Sequence, residues 1–151
     1  MDIKDKKIAP EAWNAPGYLA SHAARVFHRL VDAELKLHGV SLALISPLML
    51  LTRRGALLQR DIVRESSVAQ PAMVALLSKL EAEGFVKRTT DPKDKRAALV
   101  ALTRKGEKIA DLSKTVLLEM NAKGQQGFTS QESTLLTHLL QRLIENFERV
   151  D

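Results

Sequence analysis

The stretch Asp91-Pro92-Lys93-Asp94-Lys95-Arg96-Ala97-Ala98-Leu99-Val100-Ala101-Leu102-Thr103, entered through Leu80-Glu81-Ala82-Glu83-Gly84-Phe85-Val86, decides the fold. Gly84 follows a helical run and reads as its stop. Val86 to Thr90 and Ala98 to Leu102 have the composition of strands, and Asp91-Pro92-Lys93-Asp94 supplies the turn chemistry between them. The connection is too long for a tight two-residue turn, so the tip should project. Thr103 has the right type and position to cap a new helix. A helix, a two-stranded ribbon with a basic tip and a further helix, in that order, outline a DNA-binding wing.

Upstream, two short helical segments, about Leu58 to Glu65 and Pro71 to Glu83, are separated by the corner Ser66-Ser67, a spacing that fits a helix-turn-helix. On a helical wheel, Met73, Leu76, Leu77, Leu80 and Gly84 form a core side, while Pro71, Val74, Ala75, Ser78 and Ala82 are free to face a groove. Earlier still, Leu19, Ala23, Val26, Phe27, Leu30 and Leu37 follow a helical period that Gly39 closes. The apolar run Leu42 to Leu51 contains Pro47, so its helix should begin near Ser46 and stop at Arg53-Arg54-Gly55.

Downstream, a helix capped by Thr103 should run to about Ala122 on the stripe Ile109, Leu112, Val116 and Met120. After the break at Gly124 to Gly127, Thr129-Ser130-Gln131-Glu132 resembles a capping box. In the last helix Leu135, Leu136, Leu139, Leu140, Leu143, Ile144, Phe147 and Val150 cover about half of the circumference, against roughly 100° for an ordinary surface helix. Such a stripe needs two neighbours. The first helix can be one, and the same helix from a second copy is the most economical other, giving a twofold dimer. The alternative is burial against its own domain.

Composition agrees with this outline. A chain of 151 residues with 45% hydrophobic and 4% aromatic residues suits one unit whose core is aliphatic and helical. The formal charge of +5 is segregated, since residues 53–108 carry 13 basic and 7 acidic groups while residues 109–151 carry 4 and 6. A basic middle between near-neutral ends is the footprint expected when the middle meets phosphate and the ends meet protein. Met1 to Lys7 is polar, without the apolar region of a signal peptide, and no apolar run approaches a membrane span, so a cytoplasmic protein is expected. The expected fold class is mainly α, an α+β winged helix-turn-helix with a two-stranded wing and terminal helices forming a dimerisation layer. The expected organisation is a polar leader over 1–15, a dimerisation region over 16–40 and 107–151, and a DNA-binding region over 41–106, all within one intertwined domain.

The stretch Asp91 to Thr103 closely resembles the wing signature of the MarR family of bacterial transcriptional regulators, with similarity to its SlyA branch. Val68-Ala69-Gln70-Pro71 through Leu80 and Gly84 resembles that family's recognition helix, and the likeness extends in order and spacing over residues 16–150. The resemblance implies a winged-helix homodimer whose first and last helices pack across the twofold. It usually implies repression until a small molecule binds, and many relatives accept phenolic or aromatic carboxylate compounds between the dimer helices and the DNA-binding lobe. Arg25 and His28 occupy the stretch where such relatives place basic pocket residues, and Trp13 and Tyr18 could supply a lid or wall. Arg25 could equally be a solvated cation or pair with Asp32. The chain departs from the pattern at Leu58, where relatives often cap with Thr or Ser, at Ser67 in place of Gly, and at Ala75 in place of Arg.

On this reading the helix from Gln70 to about Leu80 enters the major groove, where Gln pairs with adenine and apolar groups meet thymine methyls. Gln70, Pro71, Val74, Ala75, Ser78 and Lys79 form its DNA-facing set. Arg96 is delivered to the minor groove, and Lys87, Arg88, Lys93 and Lys95 face the backbone. Asp94 stabilises the wing tip through hydrogen bonds or an ion pair with Arg96, and Thr103 stabilises the wing's exit. Two copies would read a pseudo-palindrome with half-sites roughly 10 base pairs apart.

Rival readings find less support in the sequence. His22, His28, His38 and His138 include partners at helical spacing, Glu34 with His38 and Asp32 with His28, but such pairs are commonly surface contacts, and no metal or other cofactor is expected. With no cysteine, no glycine-rich phosphate loop and no nucleophile elbow, no enzyme is expected. A winged helix used as a protein interaction adaptor, without tight DNA binding, is the serious alternative.

Overall fold

A computed structural model describes residues 10–150. Its helices are α1 (Pro16–Lys36), α2 (Ile45–Arg54), α3 (Gln59–Glu65), α4 (Gln70–Ala82), α5 (Arg104–Gly124) and α6 (Ser130–Glu148); its strands are β1 (Leu57–Leu58), β2 (Val86–Thr90) and β3 (Ala98–Leu102). Short 3-10 turns at Pro10–Asn14 and Leu42–Leu44 precede α1 and α2. The chain forms two compact units, Val31–Leu118 and, from its two ends, the described residues up to Leu30 with those from Glu119 onward. The division falls within α1 and α5. Most of the expected polar leader lies outside the described residues.

Within Val31–Leu118 the winged helix-turn-helix is as expected, with one addition. The sheet has three antiparallel strands in the order β1-β3-β2, so the wing is a two-stranded ribbon joined at its root by a third strand. Leu57 pairs with Val100 and Leu58 with Leu99, whereas β2 runs from Val86 opposite Leu102 to Thr90 opposite Ala98. Two residues are too few to show a period of two. β1 forms because β3 would otherwise present an open edge. Leu58, expected to open a helix, is therefore extended, and α3 begins at Gln59 with no side-chain cap.

The core of this unit is aliphatic, with Leu35, Leu48, Ile62, Met73, Leu77, Leu80 and Val100 fully buried. Each burial of this kind stabilises by about 1.5–3 kcal/mol relative to exposure. Leu76 and Gly84, assigned to the core side of α4, are half-buried. The helix-turn-helix corner needs no left-handed residue. Ser66 turns it instead, its hydroxyl donating to the Val63 carbonyl at 3.1 Å and accepting the Val68 N–H at 3.4 Å.

At the exit of the wing, the Thr103 N–H donates to the Phe85 carbonyl, and its hydroxyl donates to the Gly84 carbonyl and accepts the Gly106 N–H. This threads α5 so close to β2 that a Cβ on Gly106 would sit 1.8 Å from the Phe85 carbonyl oxygen. Only glycine fits there.

The unit made from the two ends is built differently. A capping box starts α6, with the Thr129 hydroxyl accepting the Glu132 N–H at 3.1 Å and the Glu132 carboxylate accepting the Thr129 N–H at 2.8 Å. A Cβ at Gly17 would lie 3.6 Å from the Phe147 ring, which places the start of α1 beside the end of α6. Yet α6 contains no buried residue, and Leu135, Ile144 and Phe147 stay 55%, 54% and 58% exposed.

Candidate nucleic-acid interface

The wing tip is shaped by two aspartates. The Asp91 carboxylate accepts the Lys93 N–H at 3.1 Å, and the Asp94 carboxylate accepts the Arg96 N–H at 2.9 Å. The backbone closes around them through Asp91 N–H to Ala97 carbonyl and Ala97 N–H to Asp94 carbonyl, both 3.0 Å. Asp94 thus holds the backbone of Arg96 and forms no ion pair with its guanidinium. Lys87, Lys93, Lys95 and Arg96 are exposed and form no ion pair among the described residues. These four cations outnumber the two aspartates of the tip and have no ion-paired carboxylate, so the ribbon keeps a net positive field.

On α4, Gln70, Pro71, Ala75, Ser78 and Lys79 are exposed, while Val74 is half-buried and turns partly toward the core. Pro71 occupies the first turn, where its missing N–H removes no helical bond. Gln70 and Arg96, assigned to different grooves, line one concavity of about 360 Å³ with Gln59, Arg60 and Asp94, floored by Leu58, Val63 and Ala98. Gln59 and Arg60 were not singled out in the sequence. The available signal was a cation in the first turn of the first motif helix, the helix that crosses the backbone in such motifs. Lys79 lies elsewhere, beside Lys36, Ser41 and Glu83 in a second concavity of about 290 Å³.

Arg88 behaves unlike the other wing cations. Its guanidinium donates to both carboxylate oxygens of Glu81, at 3.2 and 3.3 Å, to the Ser78 hydroxyl at 3.1 Å and to the Gln59 side-chain oxygen at 3.2 Å. Its hydrogen bond to Arg88 holds the Glu81 carboxyl below the usual glutamate range. Ser78 and Arg88, expected to meet a base and a phosphate, are here partners of each other.

The residues assigned to an effector are partly assembled. Tyr18 stacks on His22 at 6.3 Å, Trp13 meets the same ring edge-on at 6.5 Å, and Arg25 Nη2 lies 3.4 Å from His22 Nδ1. Arg25 also donates to the Ser21 hydroxyl at 2.7 Å. Asp32 pairs with Lys36 and the Leu42 N–H instead, so the Arg25 to Asp32 pairing is not formed. His28 stands apart, its ring tilted against Phe27 at 6.0 Å. The member missed here is His22, legible from the i, i+4, i+7 spacing of Tyr18, His22 and Arg25.

His38 approaches Glu34 at 3.9 Å, but no group of three His, Asp or Glu able to hold a metal occurs among the described residues. No helix there is long and apolar enough to cross a membrane.

Comparison with known proteins agrees with this architecture. Residues 40–98 match the model of the MarR family. The HTH-type transcriptional regulator BilQ of Clostridium symbiosum is 29% identical over 117 residues, 78% of this chain and 81% of that protein. The homoprotocatechuate degradative operon repressor of Escherichia coli is 26% identical over 84 residues, 56% of this chain and 57% of that protein. Among solved structures, a cysteine-to-serine variant of Escherichia coli MarR complexed with operator DNA superposes with a TM-score of 0.76 at 22% identity, covering 90% of this chain and 99% of that one.

Proposed function

We propose that this MarR-family chain is a homodimeric, sequence-specific regulator of transcription that binds double-stranded DNA and represses until a small phenolic or aromatic acid releases it. The observation that carries the reading is the shared concavity of Gln70, Arg60 and Arg96 between recognition helix and wing. A DNA backbone passing between the major and the adjacent minor groove needs such a basic cleft, with a base-reading side chain on one wall. The unpaired wing cations beside a base-reading glutamine favour this over an adaptor role, since a cationic ribbon flanking an exposed helix matches a phosphate backbone beside a groove. Lys87, Lys93 and Lys95 serve the backbone; Arg96 serves the minor groove. The exposed stripe of α6 supports the twofold dimer, and the name of the Escherichia coli relative supports repression.

Selection of duplexes from random DNA, followed by salt titration on selected and random sequences, tests the reading. The expected result is a pseudo-palindrome with half-sites roughly 10 base pairs apart and a steep salt dependence. Gln70→Ala should relax preference at one position per half-site by about 1–3 kcal/mol. Equal, salt-insensitive affinity for all duplexes would refute it. For the effector, the cluster of Trp13, Tyr18, His22 and Arg25 offers aromatic faces beside a cation. Salicylate should raise the melting temperature and weaken DNA binding, and Arg25→Ala should remove both effects.

A further inference from the structure

We propose that Arg88 is a positioning residue, which sets the wing against the recognition helix and makes no contact of its own with phosphate. The inference rests on the DNA-binding reading above and departs from it at one cation.

The geometry is specific to this side chain. All three guanidinium nitrogens are engaged, and their acceptors lie on two different helices: Ser78 and Glu81 on α4, and Gln59 at the start of α3. The Glu81 carboxylate also accepts the Arg88 backbone N–H at 3.2 Å, so it grips both the strand and the side chain. Opposite Arg88 in the sheet is the fully buried Val100, which also pairs with Leu57. Arg88 therefore sits on the row that joins β2, β3 and β1, at the root of the wing.

Two physical consequences follow. A carboxylate in bidentate contact cancels the guanidinium charge that a phosphate would need. Lys87, the preceding residue and on the opposite face of the ribbon, has no such partner and keeps its charge for the backbone. Second, the major and minor grooves accept α4 and the wing together only at one separation. Beyond the clamp, α4 and β2 share the buried core at Leu77, Leu80 and Val86 and the backbone bonds of the turn at Glu83 to Phe85, all of which lie at the root of the wing and not at its tip. A planar fork with acceptors on both sides supplies the missing constraint.

The test compares Arg88→Ala, Arg88→Lys and Glu81→Ala. Binding to selected and random duplexes is read by fluorescence anisotropy across salt concentrations, and hydrogen exchange of the wing amides is read in the DNA-free protein. The clamp predicts faster exchange at Thr89 to Ala97 in all three variants. It also predicts a roughly tenfold loss on the selected duplex, the size of one charged hydrogen bond. The salt slope should stay that of the wild type. Lysine should not rescue, because a point charge cannot serve acceptors on two helices. A phosphate contact predicts otherwise. Arg88→Ala would then shrink the slope by about 1.8, about 0.9 for each copy in the dimer, Arg88→Lys would bind like wild type, and Glu81→Ala would tighten binding by freeing the cation. Any of these, or unchanged exchange, overturns the proposal. If Arg88→Ala fails to fold, Glu81→Ala decides, since Glu81 is exposed. If the wild type itself shows no preference for selected DNA, the regulatory reading fails, while hydrogen exchange still reports on the clamp.

Discussion

The two compact units of this chain differ in where their apolar surface goes. Every buried residue of the described chain lies between Val31 and Leu118, whereas α6, with more large apolar residues than any strand or motif helix, buries none. One unit closes its own core. The other leaves its apolar stripe exposed, and the difference teaches that helical periodicity reports which face is apolar but not what covers it.

The largest expected effect comes from breaking the open half. Leu139, 46% exposed in the middle of the α6 stripe, should not tolerate Glu. Leu139→Glu should convert the proposed dimer to monomer by sedimentation and cost at least roughly hundredfold in DNA affinity, as two half-sites become one. The unit Val31–Leu118 should keep its secondary structure. A variant that remains dimeric would break the comparison, because the stripe would then have another use.

Gly106→Ala probes the closed half. A methyl aimed at the Phe85 carbonyl must displace backbone, so denaturant unfolding should show a loss of about 3 kcal/mol. Dimer dissociation should be unchanged. Arg96→Ala should leave both units folded yet lower affinity by about 2 kcal/mol per half-site, with a salt slope smaller by about 1.8 for the dimer if each guanidinium also neutralises a phosphate. Equal stability with unchanged DNA affinity would return the wing to a solvated turn. Thr129→Ala, which removes the cap of α6, should cost only about 1 kcal/mol. That loss should appear as easier dimer dissociation rather than as unfolding of Val31–Leu118, which sharpens the assignment of α6 to the interface.

Much of the fold was legible in the sequence because its signals are local. The strands Val86–Thr90 and Ala98–Leu102, the threonine caps and the helix stops at Gly39, Gly55 and Gly84 each depend on a few neighbouring residues. β1 was not legible, since two leucines pair with β3 only once the chain has brought an open edge to them. The proposed site divides in the same way. Gln70, Arg96 and the unpaired wing lysines could be named from motif and charge, but Arg60 joined them only through folding. His22 emerged as the centre of the aromatic cluster because ring contacts, rather than basicity, organise it.

By itself the sequence determined the order of elements, the apolar faces and the sign of the charge on the wing, all of which follow from near-neighbour chemistry and period. Only the tertiary structure decided which cations remain free to act. Arg88 and Arg96 are both arginines of one ribbon, eight positions apart. Folding places Glu81, Ser78 and Gln59 around the first and leaves the second without an ion-pair partner at the tip. A cation in direct contact with a carboxylate projects less field than one without such a contact, and which contacts form is set by how the helices pack against the ribbon.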